Sequence, residues 1–229
     1  MSNDRKFIAV GDIHGCFETL KTLIAQVGDA ADDRTWVFLG DYIDRGPDSK
    51  KVVDFLIDFS ASHDCVMLRG NHEQMLLDSQ DSRYMKMWLK NGGQTTLKSY
   101  GARFTKLDLP YQHLHFYRNS RLFFDTPDFL FVHAGILPDM TVAEAVADED
   151  NHDDFMWERA HLTEADNVWE KTVVFGHTPQ PKPITGRNMI GIDTGCVYKY
   201  LPGLGKLTAL LLPEGEYIQI PCRDNPKPY

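Results

Sequence analysis

Five short apolar runs, each closed by a glycine-flanked polar cluster, constrain this chain more than any other feature. The runs cover residues 7–10, 36–39, 65–68, 129–132 and 172–175. The clusters are Gly11-Asp12-Ile13-His14-Gly15, Gly40-Asp41-Tyr42-Ile43-Asp44-Arg45-Gly46, Arg69-Gly70-Asn71-His72-Glu73, His133-Ala134-Gly135 and Gly176-His177-Thr178. Runs this short suit buried strands. Asp and Gly after a strand are ordinary turn formers, but turn chemistry does not call for His and Asn in these places. The repetition predicts loops at one edge of a sheet, converging on a metal site that handles phosphate.

Between the clusters the chain alternates strand and helix patterns. Phe17, Leu20, Leu23, Ile24 and Val27 fall at helical spacing. A second helix follows Pro47-Asp48-Ser49, carrying Val52, Val53, Leu56, Ile57 and Phe59. This rhythm implies parallel crossover units, whose ligands bind at the carboxyl ends of the strands. Residues 73–100 read as amphipathic helix interrupted at Gly92-Gly93, and residues 101–126 as irregular and aromatic. Thr141-Val142-Ala143-Glu144 matches a capping box. Strands are expected over residues 189–192, 206–212 and 217–220, forming a second, more antiparallel sheet packed on the first. The tail 224–229 is expected to be loosely held.

A chain of 229 residues can bury a core as one domain over residues 1–229. The net charge of −9 argues against a nucleic-acid polymer or a membrane surface as partner. It does not oppose an anionic substrate where metal ions and arginines set the local field. Cys16, Cys65, Cys196 and Cys222 form no C-x-x-C pair, so a zinc knuckle is not expected and the thiols read as free. With no signal-peptide pattern and no membrane-spanning stretch, the expected location is cytoplasmic.

Asp12 and His14 stand two apart, where a carboxylate and an imidazole can reach one divalent ion. Asp41, Asn71, His133 and His177 add oxygen and nitrogen donors. Such a thiolate-free set suits manganese, iron or zinc. Six donors serve two ions if Asp41 bridges them. Paired ions can hold a bridging hydroxide and clamp an in-line phosphoryl displacement. Arg45 and Arg69 sit beside these donors, and guanidinium forks match phosphate oxygens. His72 could protonate the leaving oxygen, oriented by Asp44.

In this order, GDIHG, GDYIDRG, RGNHE, HAG and GHT resemble the signature of the phosphoprotein phosphatase family of binuclear metallophosphoesterases, in particular its compact bacterial and phage serine/threonine members. The resemblance implies a calcineurin-like α/β fold, a two-sheet β-sandwich flanked by helices. It implies that Asp12, His14 and Asp41 hold one ion, and that Asp41, Asn71, His133 and His177 hold the other, manganese being the first expectation. His72 with Asp44 would donate the proton, and Arg45 and Arg69 would hold phosphate. Trp157-Glu158-Arg159 is similar to a segment that supplies a third phosphate ligand, Arg159, although the glutamate departs from the pattern. Residues 192–196 and 207–210 resemble the family's sheet segments.

The leading expectation is hydrolysis of phosphoserine, phosphothreonine or phosphotyrosine in a phosphoprotein or phosphopeptide. A symmetrical dinucleoside tetraphosphate hydrolase is the alternative on the same site, the wording of GDYIDRG and GNHE favouring the first. A catalytically inactive phosphoprotein-binding module would lack a ligand or the acid, and none is missing. Of the other histidines, His113-Leu114-His115 looks metal-like, but solvated or core positions are expected for His63, His113, His115, His152 and His161. The acidic run from Asp148 to Asp154 reads as a solvated loop, and the Met and aromatic stripe at 84–89 as packing.

Overall fold

The computed structural model describes residues 5–102, 108–164 and 166–228. The first strand, β1 (Lys6–Val10), leads through the first cluster into α1 (Phe17–Val27). β2 (Arg34–Phe38), α2 (Ser49–Ser60) and β3 (Cys65–Met67) repeat the pattern. Helices α3 (Asn71–Asp78), α4 (Ser82–Trp88) and α5 (Gln94–Ser99) follow, with a π-helical turn, Leu89–Gly93, between the last two. Then come α6 (Tyr111–Asn119), β4 (Phe123–Asp125), β5 (Phe129–Val132), α7 (Val142–Ala147), α8 (Asp154–Trp157) and β6 (Thr172–Phe175). The chain closes with β7 (Ile184–Gly186), β8 (Met189–Gly191), β9 (Lys206–Leu212) and β10 (Glu216–Pro221).

Two five-stranded sheets result, in the orders β10-β9-β1-β2-β3 and β4-β5-β6-β8-β7. In the first, β1, β2 and β3 run parallel, while β9 and β10 are antiparallel additions. The second has parallel β5, β6 and β8 with antiparallel strands at both edges. Strand alternation assigns the layers. Phe7, Ala9, Val37, Leu39, Phe131, Val174 and Leu210 fill the space between the sheets. Ile8, Val10, Trp36 and Phe38 face the other way, onto Leu20 and Leu23 of α1 and Val52 and Leu56 of α2. Leu130, Val132 and Val173 pack against Val142 of α7 and Phe155 of α8. Sheets covered on both faces explain why the strand runs are apolar throughout rather than alternating. The architecture is the two-sheet sandwich flanked by helices.

Three expectations need correction. The last strands do not make a sheet of their own: β9 and β10 complete the first sheet, β7 and β8 the second. Residues 111–119, expected to be irregular, form α6 (residues 103–107 lie outside the described ones). The tail is anchored, because buried Asp224 accepts hydrogen bonds from the Glu18 and Thr19 N–H groups at 3.0 Å each and from Thr19 Oγ1 at 2.5 Å. It caps α1, whose own N-cap residue, Cys16, makes no side-chain cap. The capping box at Thr141 and Glu144 forms as expected. Among the described residues no helix is long and apolar enough to cross a membrane.

Candidate functional site

Each cluster leaves the carboxyl end of one strand: β1, β2 and β3 of the first sheet, β5 and β6 of the second. The loops are tied together by backbone. Asp41 C=O accepts from Ile13 N–H at 3.1 Å and His14 N–H at 2.8 Å, and His133 C=O accepts from Gly176 N–H at 2.8 Å. Glu73 joins the second and third clusters: its carboxylate takes the N–H groups of Asp41 (2.8 Å), Tyr42 (2.9 Å) and Gly70 (3.0 Å). Burial, then Asp41, pushes the Glu73 carboxyl up to about 8. Sequence reasoning quoted Glu73 within its cluster without giving it this role. Gly70 is fixed by space, since a Cβ there would stand 2.2 Å from Asp41 Oδ1.

All six donor candidates, Asp12, His14, Asp41, Asn71, His133 and His177, are buried. His14 gives its Nδ1 hydrogen to Ile43 C=O at 2.7 Å and His133 gives its own to Leu39 C=O at 2.9 Å, so both present Nε2 to the centre. There His133 Nε2 lies 3.0 Å from Asn71 Oδ1, 3.1 Å from His177 Nδ1 and 3.4 Å from Asp41 Oδ1. On the other side Asp41 Oδ2 lies 3.4 Å from His14 Nε2. Two groups of potential ligand atoms therefore share Asp41: one with His14 and His72, one with His133 and His177, each within 4.8 Å. Asp12 stands outside both groups and accepts the His177 N–H on its two oxygens at 3.0 and 3.1 Å.

Lone pairs crowd this space. Burial pushes the Asp12 carboxyl well up, with Asp193 adding to it. Burial also raises Asp41, but His133, His72 and His14 outweigh it and hold that carboxyl well below the usual range. For His133 burial is outweighed by Asp41, Asp12 and Glu73, which hold the imidazole up at about 9. His177 is driven down to about 2 by burial and by His133. His14 falls well below its ordinary value through burial and Arg45. Asp41 Oδ2 and His177 Nε2 are buried with no hydrogen-bond donor among the described residues. A buried carboxylate oxygen without a donor, set among imidazole nitrogens and the Asn71 amide oxygen, fits divalent cations.

His72 Nδ1 bonds Asp44 Oδ2 at 2.7 Å, leaving Nε2 facing Asp41 Oδ2 at 3.9 Å. Asp44 is fully buried and held from three sides: Trp88 Nε1 donates at 2.9 Å, Thr96 Oγ1 at 2.6 Å, and its own N–H reaches Thr96 Oγ1 at 2.9 Å. Trp88 of the aromatic stripe thus does more than pack. Arg45 Nη1 donates to His14 Nε2 at 2.6 Å, and its guanidinium lies 5.5 Å from the Tyr198 ring. Arg159 is exposed and reaches Thr178 Oγ1 of the fifth cluster at 3.2 Å. Arg69 points elsewhere: it donates to Ser120 Oγ, Gln74 Oε1 and the carbonyls of Arg118 and Ser120, which leaves one Nη1 hydrogen.

Asp193, at the end of a segment read only as sheet, presents a buried carboxyl raised to about 6 by burial, against the bond it accepts from Gly195 N–H at 2.8 Å. His113 is a core histidine, bonded to Asp54 at 2.8 Å and Tyr100 at 2.7 Å, and His115 joins no cluster of potential metal ligands among the described residues.

The asymmetrical bis(5'-nucleosyl)-tetraphosphatase of Halalkalibacterium halodurans is 30% identical over 244 aligned residues, 95% of this chain and 94% of that one. Serine/threonine-protein phosphatase 1 of Salmonella typhimurium is 33% identical over 206, covering 86% and 89%. A crystal structure of a protein provisionally named a diadenosine tetraphosphatase matches with a TM-score of 0.70 at 23% identity, over 98% of this chain and 96% of that one. A serine/threonine phosphatase of Saccharomyces cerevisiae matches at 0.63 with 17% identity, over 99% and 82%. These two structures carry the fold alone. The family model described as calcineurin-like phosphoesterase spans residues 5–203, which takes in all five clusters and both sheets' parallel strands. With its donors gathered at those strand ends, the chain belongs to the calcineurin-like phosphoesterases, a family of metal-dependent hydrolases.

Proposed function

We propose that this phosphoesterase hydrolyses phosphoanhydride bonds in bis(5'-nucleosyl) tetraphosphates, with cleavage of the asymmetrical kind. The crowd of lone-pair acceptors around Asp41 carries the hydrolytic reading. Asp12, His14 and Asp41 would hold one divalent ion, and Asp41, Asn71, His133 and His177 a second, with manganese the first to try. Bound there, the ions would activate solvent and neutralise substrate oxygens. The protein's own groups do the rest. Arg45 grips phosphate from the His14 side and Arg159 from the His177 side. Arg69 has one hydrogen left to offer. His72, held by Asp44, delivers a proton to the leaving oxygen.

Two features favour a dinucleotide over the phosphoprotein put first by the sequence wording. Relatives named asymmetrical tetraphosphatases align with over nine-tenths of this chain and of their own length. Exposed aromatics also flank the centre on both sides. Trp157, 39% exposed, lies 6.2 Å from the His177 ring, and Tyr200, equally exposed, adjoins Tyr198 beside Arg45. Two bases on one substrate match two stacking surfaces. The Salmonella relative keeps protein phosphatase as the second reading.

The test is product analysis. With Mn(II), diadenosine tetraphosphate should yield equal amounts of nucleoside triphosphate and monophosphate, with kcat/KM above that for a phosphothreonine peptide. Two diphosphates would mean symmetrical cleavage, and a preferred phosphopeptide would restore the second reading.

A further inference from the structure

Three of the four cysteines, far apart in sequence, meet. Cys16 precedes α1, Cys196 sits in a short 3₁₀ turn after β8, and Cys222 follows β10. Their sulfurs all lie within 4.8 Å of one another, with Cys16 Sγ and Cys222 Sγ 3.9 Å apart. No bond joins them: all are free thiols, two buried and one partly exposed.

We propose that Cys16, Cys196 and Cys222 form a second metal site, a three-thiolate clamp for a thiophilic d10 cation, copper(I) or zinc(II). Three sulfurs at about 2.3 Å from one ion stand about 4 Å apart, close to the separation found here. Thiolates select soft cations, whereas the oxygen and nitrogen donors around Asp41 suit harder ones, so copper(I) is sorted to the thiolates while zinc(II) fits both donor sets. Among the described residues no other side chain of ligand type joins the cluster. Asp224, two residues beyond Cys222, is already engaged with the start of α1. Three ligands with no fourth suit copper(I). Zinc(II) would add a water from the side where Cys222 meets solvent. Binding releases the thiol protons to solvent.

Backbone holds the three sulfurs in place from separate directions. Cys16 N–H donates to Ile13 C=O at 3.1 Å within the first cluster's turn. Cys222 N–H donates to Gly205 C=O at 2.8 Å, and Arg223 N–H to Thr19 Oγ1 at 2.9 Å. The residue before Cys196, Gly195, has a positive φ of 65° and gives its N–H to Asp193. The clamp therefore stands two residues from His14 and three from Asp193 along the chain, without sharing a donor with the phosphoesterase centre.

Reduced protein, its N/O centre filled with Mn(II), would be titrated anaerobically with Cu(I) and, separately, with Zn(II). Native mass spectrometry counts the ions, and alkylation of Cys222 reports thiol protection. One extra ion is expected, with a thiolate-to-copper absorption band in the Cu(I) arm and Cys222 shielded from alkylation. Cys222→Ser should weaken uptake by more than the roughly 10–100-fold that outer partners of a metal are worth. Cys65→Ser, outside the cluster, should change nothing. The arm that binds tighter names the occupant. Because Cys16 and Cys196 are buried, Cys196→Ala is a second variant, and the wild-type alkylation needs no variant at all. The proposal is overturned if no extra ion binds, if Cys222→Ser binds as well as wild type, or if protein purified without oxidant already carries a disulfide between two of the three.

Discussion

His14, Asp41, Asp44, Arg45 and His177 sit on left-handed backbone, with φ between 47° and 70°, a region non-glycine residues avoid. Only Asp33 and Asn188 share it among the other described non-glycine residues, so the strain is concentrated where the chemistry is. Each such residue costs roughly 1–3 kcal/mol and persists because its surroundings over-determine it. For Asp44 those surroundings are Trp88, Thr96 and His72. A buttressed His72 should matter in proportion to how poor the leaving group is. His72→Asn should slow an alkyl phosphomonoester by about 10²–10⁴-fold. It should slow a phosphoanhydride, whose leaving group needs little protonation, far less. Rates over a series of leaving groups of graded acidity check this, and a uniform drop would assign His72 to metal binding beside His14 instead. The donors themselves were legible in the sequence because each is local to a strand end. Their supports were not: Trp88 and Thr96 come from other helices, and no spacing links them to Asp44.

At the scale of elements, the helices with aliphatic stripes, α1 and α2, could be read from periodicity. Helix α6 could not, because its buried face is His113 and Tyr117, whose polar tips bond Asp54 and Tyr100. A hydrophobicity count does not see such a face. The cap on α1 was equally hidden, its acceptor Asp224 lying more than 200 residues from the N–H groups it satisfies. Asp224→Ala should cost about 2 kcal/mol, the upper end for a lost N-cap. Urea unfolding should show a lower midpoint with an unchanged slope. Asp224→Asn, which keeps one acceptor oxygen, should lose less. The interruption expected at Gly92 is real and functional in shape. Its φ is 106°, its carbonyl accepts from Arg45 N–H at 3.2 Å, and a Cβ there would meet Arg45 Cγ at 2.7 Å. The π-helical turn thus shapes the seat of Arg45, the arginine proposed to hold phosphate.

Across the whole molecule, two mixed sheets bring five strand ends to one place and concentrate five buried acids there: Asp12, Asp41, Asp44, Glu73 and Asp193. Burial first, and then the like charge of neighbouring carboxylates, raises the Asp12, Glu73 and Asp193 carboxyls. Divalent ions should relieve this, so Mn(II) at about 100 times its dissociation constant should stabilise the fold by about 2.7 kcal/mol. Differential scanning calorimetry should record a raised midpoint that chelator reverses and that Asp41→Asn largely abolishes. No metal effect on the midpoint would count against the two-ion reading. The pairing of strands was the least legible level. Runs bounded by Gly and Pro turns mark β9 and β10 as strands, but nothing in their pattern names β1 as the partner of β9.

That partnership has a consequence for biosynthesis. β1 is flanked by β2 on one side and by β9 on the other. A chain emerging from the ribosome offers the first neighbour early, but residues 206–212 only after every strand of the second sheet. Until then one edge of β1 stands open to any passing strand. Premature termination shortly before residue 206 should therefore give insoluble product rather than a smaller working enzyme.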